Sequence, residues 1–234
     1  MQRHLRALAK LTLSLRVTGV RDDGYHLIDA EMVTIDLADS LTFDEGDGLD
    51  GLEVIGADLP PDDLVSRAMR AVGRRAQVRL DKRIPMGAGL GGGSADAAAV
   101  LRWAGCTDLA TALDLGADVP FCLVGGRARV QGVGEVVGPL GFVEAAYTLL
   151  TPPFGVSTPA VYRAWDDLGG PRADGPNDLE PAALVVEPRL AGWRDRLGDA
   201  TGRTPVLAGS GGTWFVAGAH DGVEGAVVTR TDRP

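Results

Sequence analysis

Glycine fills five of the seven positions from 87 to 93, and this loop constrains the fold more than any other segment of the chain. It lies between an alternating apolar and polar segment, 76–81, and an apolar segment, 95–104. These patterns predict a strand before the loop and a buried helix after it. Backbone N–H groups without side chains can close around an anion, and the positive end of the helix dipole points to the same place. The sequence therefore predicts a phosphate site, against the alternative of a tight turn that binds nothing.

Three common nucleotide-binding motifs do not fit this loop. Gly87, Gly89 and Gly92 have the spacing G-x-G-x-x-G, but a dinucleotide-binding fold needs a continuously apolar parallel strand before it. Here the preceding segment alternates and is followed by Lys82 and Arg83. The sequence also lacks the Gly-Lys-Ser/Thr of a Walker loop and the catalytic motifs of protein kinases. The loop therefore indicates phosphate binding of another kind.

Composition limits the class of protein. The 234 residues are 45% hydrophobic and 24% charged, which allows one large domain or two small ones. The net charge of −9 and the lack of a long basic run argue against nucleic acid or an anionic membrane as a partner. Cys106 and Cys122 form no C-x-x-C pair, so neither a zinc site nor a disulfide framework is expected. Since no N-terminal signal and no run of about 18 apolar residues is present, we expect a cytoplasmic protein.

Hydrophobic periodicity predicts a chain of mixed helices and strands. Alternating or short apolar runs predict strands at 9–17, 27–37, 40–43, 76–81, 120–130, 145–150 and 225–229. Helical spacing predicts helices at 64–73, 95–104, 158–167 and 188–197. Ser94 is placed to cap the second of these helices, and Asp96 to complement its first turn. Residues 138–144 give the clearest hint of a linker.

The glycine loop resembles the ATP-binding segment of the GHMP kinases, the superfamily of galactokinase, homoserine kinase and mevalonate kinase. The likeness runs from Pro85 to Ala99, P-M-G-A-G-L-G-G-G-S-A-D-A-A-A. Three other blocks resemble the family in the same order along the chain: 9–11 with 18–19 and 23–27, 115–121 with 132–135, and 177–180 with 209–212. Two positions depart from the family pattern, because Thr12 stands where asparagine is usual and Gly212 where alanine is common.

The resemblance implies an α+β fold in two domains. Residues 1–142 would form the N-terminal domain of the GHMP kinases, which is ribosomal-protein-S5-domain-2-like and carries the ATP-binding and catalytic residues. Residues 143–234 would form a ferredoxin-like α/β-plait domain that supplies a second wall for the substrate. ATP and substrate would meet in the cleft between the two domains.

Phosphoryl transfer needs charge neutralisation and a base for the proton of the attacking hydroxyl. The resemblance assigns the base to Asp118 and gives it Lys10 as partner, which keeps the carboxylate ionised and meets charge on the phosphoryl group. On the residues alone, the favoured interpretation of Asp118 is a turn or cap aspartate, and the alternative for Lys10 is a solvated lysine on a strand.

The resemblance also assigns residues to the nucleotide. The ATP-binding residues would be Pro85, Met86, Gly87, Ala88, Gly89, Leu90, Gly91, Gly92, Gly93, Ser94 and Ala95. Mg²⁺ would be carried with the ATP, and the Ser94 hydroxyl could face the metal or a phosphate as well as cap the helix. No dedicated metal site of protein ligands is predicted.

The triple-glycine form of the loop points to one branch of the family, whose members phosphorylate a small cytidine-diphosphate-linked alcohol in isoprenoid-precursor synthesis. The resemblance then implies that Tyr25 and His26 hold the cytosine, one by stacking and one by hydrogen bonding, and that Thr158 and Tyr162 belong to the second substrate wall. A monomer or weak homodimer is expected. The alternatives are another small-molecule kinase of the superfamily, or a catalytically inactive nucleotide-binding relative.

Overall fold

The computed structural model describes residues 2–46 and 50–233, and it contains two β-sheets with helices packed against them. The strands of the first sheet are β1 (Gln2–Val20), β2 (His26–Asp44), β3 (Gly51–Ile55), β4 (Gln77–Asp81), β5 (Arg127–Gly132) and β6 (Val136–Pro139). Those of the second sheet are β7 (Ala146–Leu150), β8 (Val206–Leu207), β9 (Trp214–Ala217) and β10 (Ala226–Arg230). The helices are α1 (Leu64–Ala71), α2 (Gly92–Ala104), α3 (Leu109–Leu115), α4 (Val119–Val124), α5 (Thr158–Asp167), α6 (Glu180–Val186) and α7 (Leu190–Thr201). None of the helices in the described residues combines the length and the hydrophobicity that crossing a bilayer requires.

A long antiparallel hairpin of β1 and β2 organises the first sheet. One edge of β2 pairs with β1, and the other edge pairs first with β5 and then with β4. The prediction of two separate strands at 27–37 and 40–43 was therefore wrong, because both halves of β2 pair with the same neighbour and no glycine or proline interrupts them. The register of the hairpin shifts on either side of Lys10 and Thr12. Such irregularities redirect side chains, and they recur beside active sites.

Helix α2 lies against β1 and forms the centre of the core. Its burial on nearly all sides confirms the prediction from its apolar sequence. The predicted cap was wrong. Gly91, at φ +69°, is the N-cap residue, and Ser94 lies within the first turn. The left-handed conformation of Gly91 brings the chain sharply into the helix, so the helix begins earlier than the first alanine of the apolar run.

The segment predicted as a strand at 120–130 is a helix followed by a strand. Pro120 occupies the first turn of α4, where its missing N–H costs no hydrogen bond, and Gly125 ends the helix at φ +67°. Strand β5 begins only at Arg127. A short apolar run such as Phe121–Val124 fits a strand or a buried helix equally well, which is why periodicity failed here.

The second sheet has the strand order β10-β7-β9-β8 and is antiparallel throughout. The predicted helix 158–167 is confirmed as α5, whereas α7 lies a few residues beyond the predicted 188–197. Helices α3 and α6 were missed; the signal for α3 was Asp108, whose carboxylate accepts from the N–H of Thr111 at its first turn. Residues 140–145 join the two sheets, and a domain boundary at 142/143 stays a prediction.

Candidate active site

A cavity of about 810 Å³ opens between the first sheet and α5, and the glycine loop forms one of its walls. Residues of the first sheet and of α5 line it together. The wall includes almost every residue that the sequence analysis assigned to the site: Lys10, Tyr25, His26, the loop from Pro85 to Ser94, Asp118, Thr158 and Tyr162. Ala95 is the exception, because it lies on α2, is fully buried in the core and does not line the cavity.

The glycine loop is held close to a second glycine turn, Gly209–Gly212. A Cβ at Gly89 would lie 2.2 Å from the carbonyl oxygen of Ala208 and 2.7 Å from that of Gly211, so no other residue fits without moving the backbone. Asn177 fixes the second turn, since its side-chain amide donates to the carbonyl oxygens of Leu207 and Gly209 at 2.9 and 2.6 Å. The two turns thus support each other across the cleft.

Lys10 and Asp118 meet at the floor of the cavity. The Lys10 ammonium lies 3.4 Å from Asp118 Oδ2 and donates to Thr12 Oγ1 at 3.0 Å. The Lys10 side chain is 6% exposed and that of Asp118 is 34% exposed, so the carboxylate remains open to a ligand. Asp118 precedes α4 but makes no side-chain cap bond to it. The geometry therefore does not support a side-chain capping role for Asp118.

Lys10 is also tied to the glycine loop through its backbone. Its N–H donates to the carbonyl oxygen of Leu90 at 3.0 Å, and a Cβ at Gly91 would lie 2.8 Å from the Lys10 side chain. The loop therefore passes directly over this lysine. An ammonium here faces both the carboxylate and any anion that the loop holds.

A second buried charge cluster lies beneath the loop. The Lys82 ammonium donates to Asp39 and, at 2.8 Å, to Asp96, and all three side chains are buried. Burial raises the pKa of Asp96 to about 7, an effect that Lys82 opposes and Asp39 strengthens. Burial also disfavours the charged form of Lys82, but Asp96 and Asp39 outweigh this and raise its pKa. The prediction that Asp96 complements the first turn of α2 was wrong, because its carboxylate is the partner of Lys82.

The turn that carries Tyr25 and His26 forms the opposite end of the cavity. The Tyr25 side chain is exposed, at 60%, whereas His26 is buried against Tyr162 and Trp165 of α5. Burial, and then the charge of Asp118, raises the pKa of Tyr162. Thr158 Oγ1 lies 2.7 Å from Ser210 Oγ, so α5 also contacts the second glycine turn.

Sequence reasoning missed three carboxylates of this site, Asp39, Asp96 and Asp166. Asp39 and Asp96 hold Lys82, and Asp166 Oδ1 lies 2.8 Å from His26 Nε2. The scarcity of lysine was the available signal for the first cluster, because Lys10 and Lys82 are the only lysines of the chain and both line the cavity.

The described part of the chain contains no metal site made by protein side chains. Within residues 2–46 and 50–233, no three His, Cys, Asp or Glu side chains are grouped closely enough to hold a metal ion. The carboxylates of Asp39 and Asp96 face an ammonium, which would repel a cation at that position. The Ser94 hydroxyl, at the start of α2 and in the cavity wall, is a group that could face a metal brought in by a nucleotide.

Comparison with known proteins identifies the class. Residues 63–126 match the model of the GHMP kinases N terminal domain. Solved structures of homoserine kinase from Cytophaga hutchinsonii and of Methanococcus jannaschii mevalonate kinase superpose with TM-scores of 0.61 and 0.63 at 18% and 11% identity. These likenesses show the fold, which is that of a GHMP kinase as the sequence predicted.

Proteins of higher sequence identity show which family of GHMP kinases the chain belongs to. A crystal structure of 4-(cytidine 5'-diphospho)-2C-methyl-D-erythritol kinase superposes over 99% of this chain and 100% of its own, with a TM-score of 0.76 and 32% identity. The 4-diphosphocytidyl-2-C-methyl-D-erythritol kinase of Ruegeria pomeroyi is 40% identical over 92% of this chain and 88% of its own length. That of Pelotomaculum thermopropionicum is 41% identical over 89% and 86%. The chain belongs to the family of 4-diphosphocytidyl-2-C-methyl-D-erythritol kinases.

Proposed function

We propose that the protein transfers the γ-phosphoryl group of ATP to the 2-hydroxyl of 4-diphosphocytidyl-2-C-methyl-D-erythritol, a step of the non-mevalonate route to isoprenoid precursors. The observation that carries the proposal is the Lys10–Asp118 pair, at 3.4 Å, in one cavity with the glycine loop and the turn of Tyr25 and His26. The shared cavity supports a base and a cation that act on a phosphate held by the loop and on a substrate whose ring is held by the turn.

Asp118 acts as the general base. Its partly exposed carboxylate takes the proton of the substrate hydroxyl as the oxygen attacks the γ-phosphorus, while the bond from that phosphorus to the β-phosphate oxygen breaks and ADP leaves. The Lys10 ammonium pairs with the Asp118 carboxylate at 3.4 Å and offsets the negative charge on the transferred group. Thr12 and the backbone contact with Leu90 hold Lys10 in this place.

The glycine loop binds the phosphates of ATP. Residues Pro85 to Ser94 line the cavity, where the backbone N–H groups from Met86 onward can meet an anion, and α2 directs the positive end of its dipole toward the same region. The Ser94 hydroxyl would face Mg²⁺ carried by the nucleotide, and that metal would supply neutralisation of the phosphate charge. Ala95 supports the loop from the core rather than touching ATP.

Tyr25 and His26 bind the cytosine of the substrate, and Thr158 and Tyr162 complete the wall opposite. Residues 1–142 then form the domain for ATP and catalysis, and residues 143–234 the domain for the second substrate wall. Cys106 and Cys122 are both free thiols, which supports a reducing compartment such as the cytoplasm. A small molecule is the expected partner, with the protein acting as a monomer or weak homodimer.

The test is a coupled assay of ADP release with a panel of hydroxyl compounds. The cytidyl substrate should support turnover, and methylerythritol phosphate, mevalonate, phosphomevalonate and homoserine should not. Turnover with one of these other compounds alone would assign the chain to another branch of the superfamily. No turnover with any of them, together with ATP binding, would identify an inactive nucleotide-binding relative.

A further inference from the structure

A histidine and an aspartate pair directly across the cleft. His26 begins β2 in the first sheet, and Asp166 lies near the end of α5, which packs against α6. His26 Nε2 is 2.8 Å from Asp166 Oδ1, and the histidine side chain is only 10% exposed. The pair therefore links the two walls of the cavity at its substrate end.

One face of α5 holds the imidazole ring. The ring centroid of Tyr162 lies 4.6 Å from that of His26, and the Trp165 ring meets His26 edge-on at 5.6 Å. Tyr162, Trp165 and Asp166 are three and four positions apart, so their side chains share one side of the helix. Two rings restrict the tilt of the imidazole, and the carboxylate restricts its rotation.

The pair also determines which ring nitrogen carries the proton. An ionised carboxylate can only accept, so Nε2 must be the donor in this contact. Nδ1 of His26 forms no hydrogen bond with any residue in the described ranges 2–46 and 50–233. In the neutral imidazole, Nδ1 is then a hydrogen-bond acceptor that is left for a ligand.

We propose that Asp166 is a positioning residue that makes the site selective for cytosine over uracil. It rests on the proposed function, because it assumes that a pyrimidine base lies against His26. With the proton fixed on Nε2, Nδ1 accepts from the exocyclic amine of cytosine. Uracil has a carbonyl oxygen at that position, so two acceptors would face each other and the base would be disfavoured.

The experiment compares Asp166→Ala with a matched control, Asp167→Ala, on the next residue of the same helix. Asp167 is exposed, and its substitution tests any general effect of removing a charge from α5. Binding of CDP and of UDP to the full chain is measured by calorimetry, with thermal unfolding as the check on folding. We expect the parent and Asp167→Ala to bind CDP more tightly than UDP. In Asp166→Ala the ratio of the two affinities should be about three- to tenfold smaller, which corresponds to the loss of one hydrogen bond.

Nitrogen-15 spectra of the imidazoles provide a readout that a general loss of stability does not imitate. The chain has three histidines, His4, His26 and His220, so the His26 signals can be assigned with one substitution. The parent should have the proton on Nε2, and Asp166→Ala should populate both tautomers. The KM for ATP should be the same in all three proteins.

The outcomes separate this inference from the proposed function. An unchanged CDP-to-UDP ratio in a folded Asp166→Ala protein, or a parent His26 protonated at Nδ1 alone, overturns the role of Asp166 even if the cytidyl substrate is phosphorylated. Failure of the parent to release ADP with the cytidyl substrate counts against the proposed function. In that case a CDP preference that depends on Asp166 still supports the positioning role.

Discussion

The Lys82 ammonium lies 2.8 Å from the Asp96 carboxylate, and this contact joins the two ends of the glycine loop. Lys82 precedes the loop and Asp96 follows it on α2. The second partner of Lys82 is Asp39 on β2, whose Oδ1 also accepts from the backbone N–H of Ile84 at 2.8 Å. A single buried ammonium therefore fixes the loop to a strand and to a helix at once. Since two carboxylates face one cation, ionisation of both would leave the cluster with an excess negative charge in the core.

Burial, which raises the pKa of Asp96, predicts that the contribution of this group to the stability of the parent falls as pH rises. The pKa of Asp96 is about 7 in the folded protein, and its reference value, which applies to the unfolded chain, is 3.8. Between these two pH values the folded state keeps a proton on Asp96 that the unfolded state has lost. The free energy of unfolding then decreases with rising pH over that window. Asp96→Asn cannot titrate, and it leaves Lys82 and Asp39 as a neutral pair. Its stability relative to the parent should increase steadily from pH 4 to pH 7.

Urea unfolding at several pH values between about 4 and 8 measures this difference, on the same window of pKa values. Asp195→Asn is a suitable control, because Asp195 is an exposed acid on α7. Its difference from the parent should stay nearly constant with pH. A constant difference for Asp96→Asn as well would mean that Asp96 is ionised throughout.

Local sequence patterns predicted the parts of the fold that are local in the chain. The alternation at 76–81, the apolar run of α2 and the helical spacing of 158–167 each reflect contacts within one element, and β4, α2 and α5 follow them closely. The Lys10–Asp118 pair joins residues far apart in sequence. It was predicted through the family resemblance and not through any periodicity.

The contacts of Lys82 show why the rest of the site could not be predicted from the sequence. Lys82 meets Asp39 and Asp96 at sequence separations of 43 and 14, and no local pattern marks which acids a buried lysine will meet. Asp96 in the first half of a helix fits the helix dipole as well as it fits a buried ion pair. The preference between these two interpretations depends on how β2 packs beneath the loop, which only the tertiary structure gives.

Replacement of Asp118 by asparagine should abolish most turnover and keep the fold. The amide cannot take the hydroxyl proton, and general-base assistance accounts for a factor of about 10² to 10⁴ in rate. The residue is one-third exposed and its side chain makes no cap hydrogen bond to α4, so stability should change little. Single-turnover measurements of kcat, together with thermal unfolding, test both parts. A rate within about threefold of the parent would remove Asp118 from the role of base.

Gly89→Ala should damage the phosphate site far more than Gly105→Ala. Both glycines have positive φ, +77° and +74°, so the backbone strain of an added Cβ is about the same, roughly 1 kcal/mol. Only at Gly89 would that Cβ collide with backbone, since the space around Gly105 is open. We therefore expect both variants to lose stability, but a raised KM for ATP only in Gly89→Ala.

Steady-state kinetics at saturating cytidyl substrate, with unfolding measured in parallel, provide the comparison between the two glycine variants. Equal KM values for ATP would show that the contact between the two glycine turns does not shape the nucleotide site. A raised KM in Gly105→Ala as well would point to a general loosening of α2, which this glycine terminates.

Tyr25→Ala should weaken the cytidyl substrate selectively. The ring is 60% exposed, so its removal leaves the core intact, and stacking of a base on an aromatic side chain contributes about 1 to 3 kcal/mol. Binding energy from a remote ring also orients the reacting hydroxyl, so kcat should fall together with affinity. Tyr25→Phe keeps the ring and serves as the control, with kcat/KM close to that of the parent. The test is to measure kcat/KM for the cytidyl substrate, and KM for ATP, in the three proteins. Equal kcat/KM values in Tyr25→Ala and the parent would mean that the base binds elsewhere in the cavity.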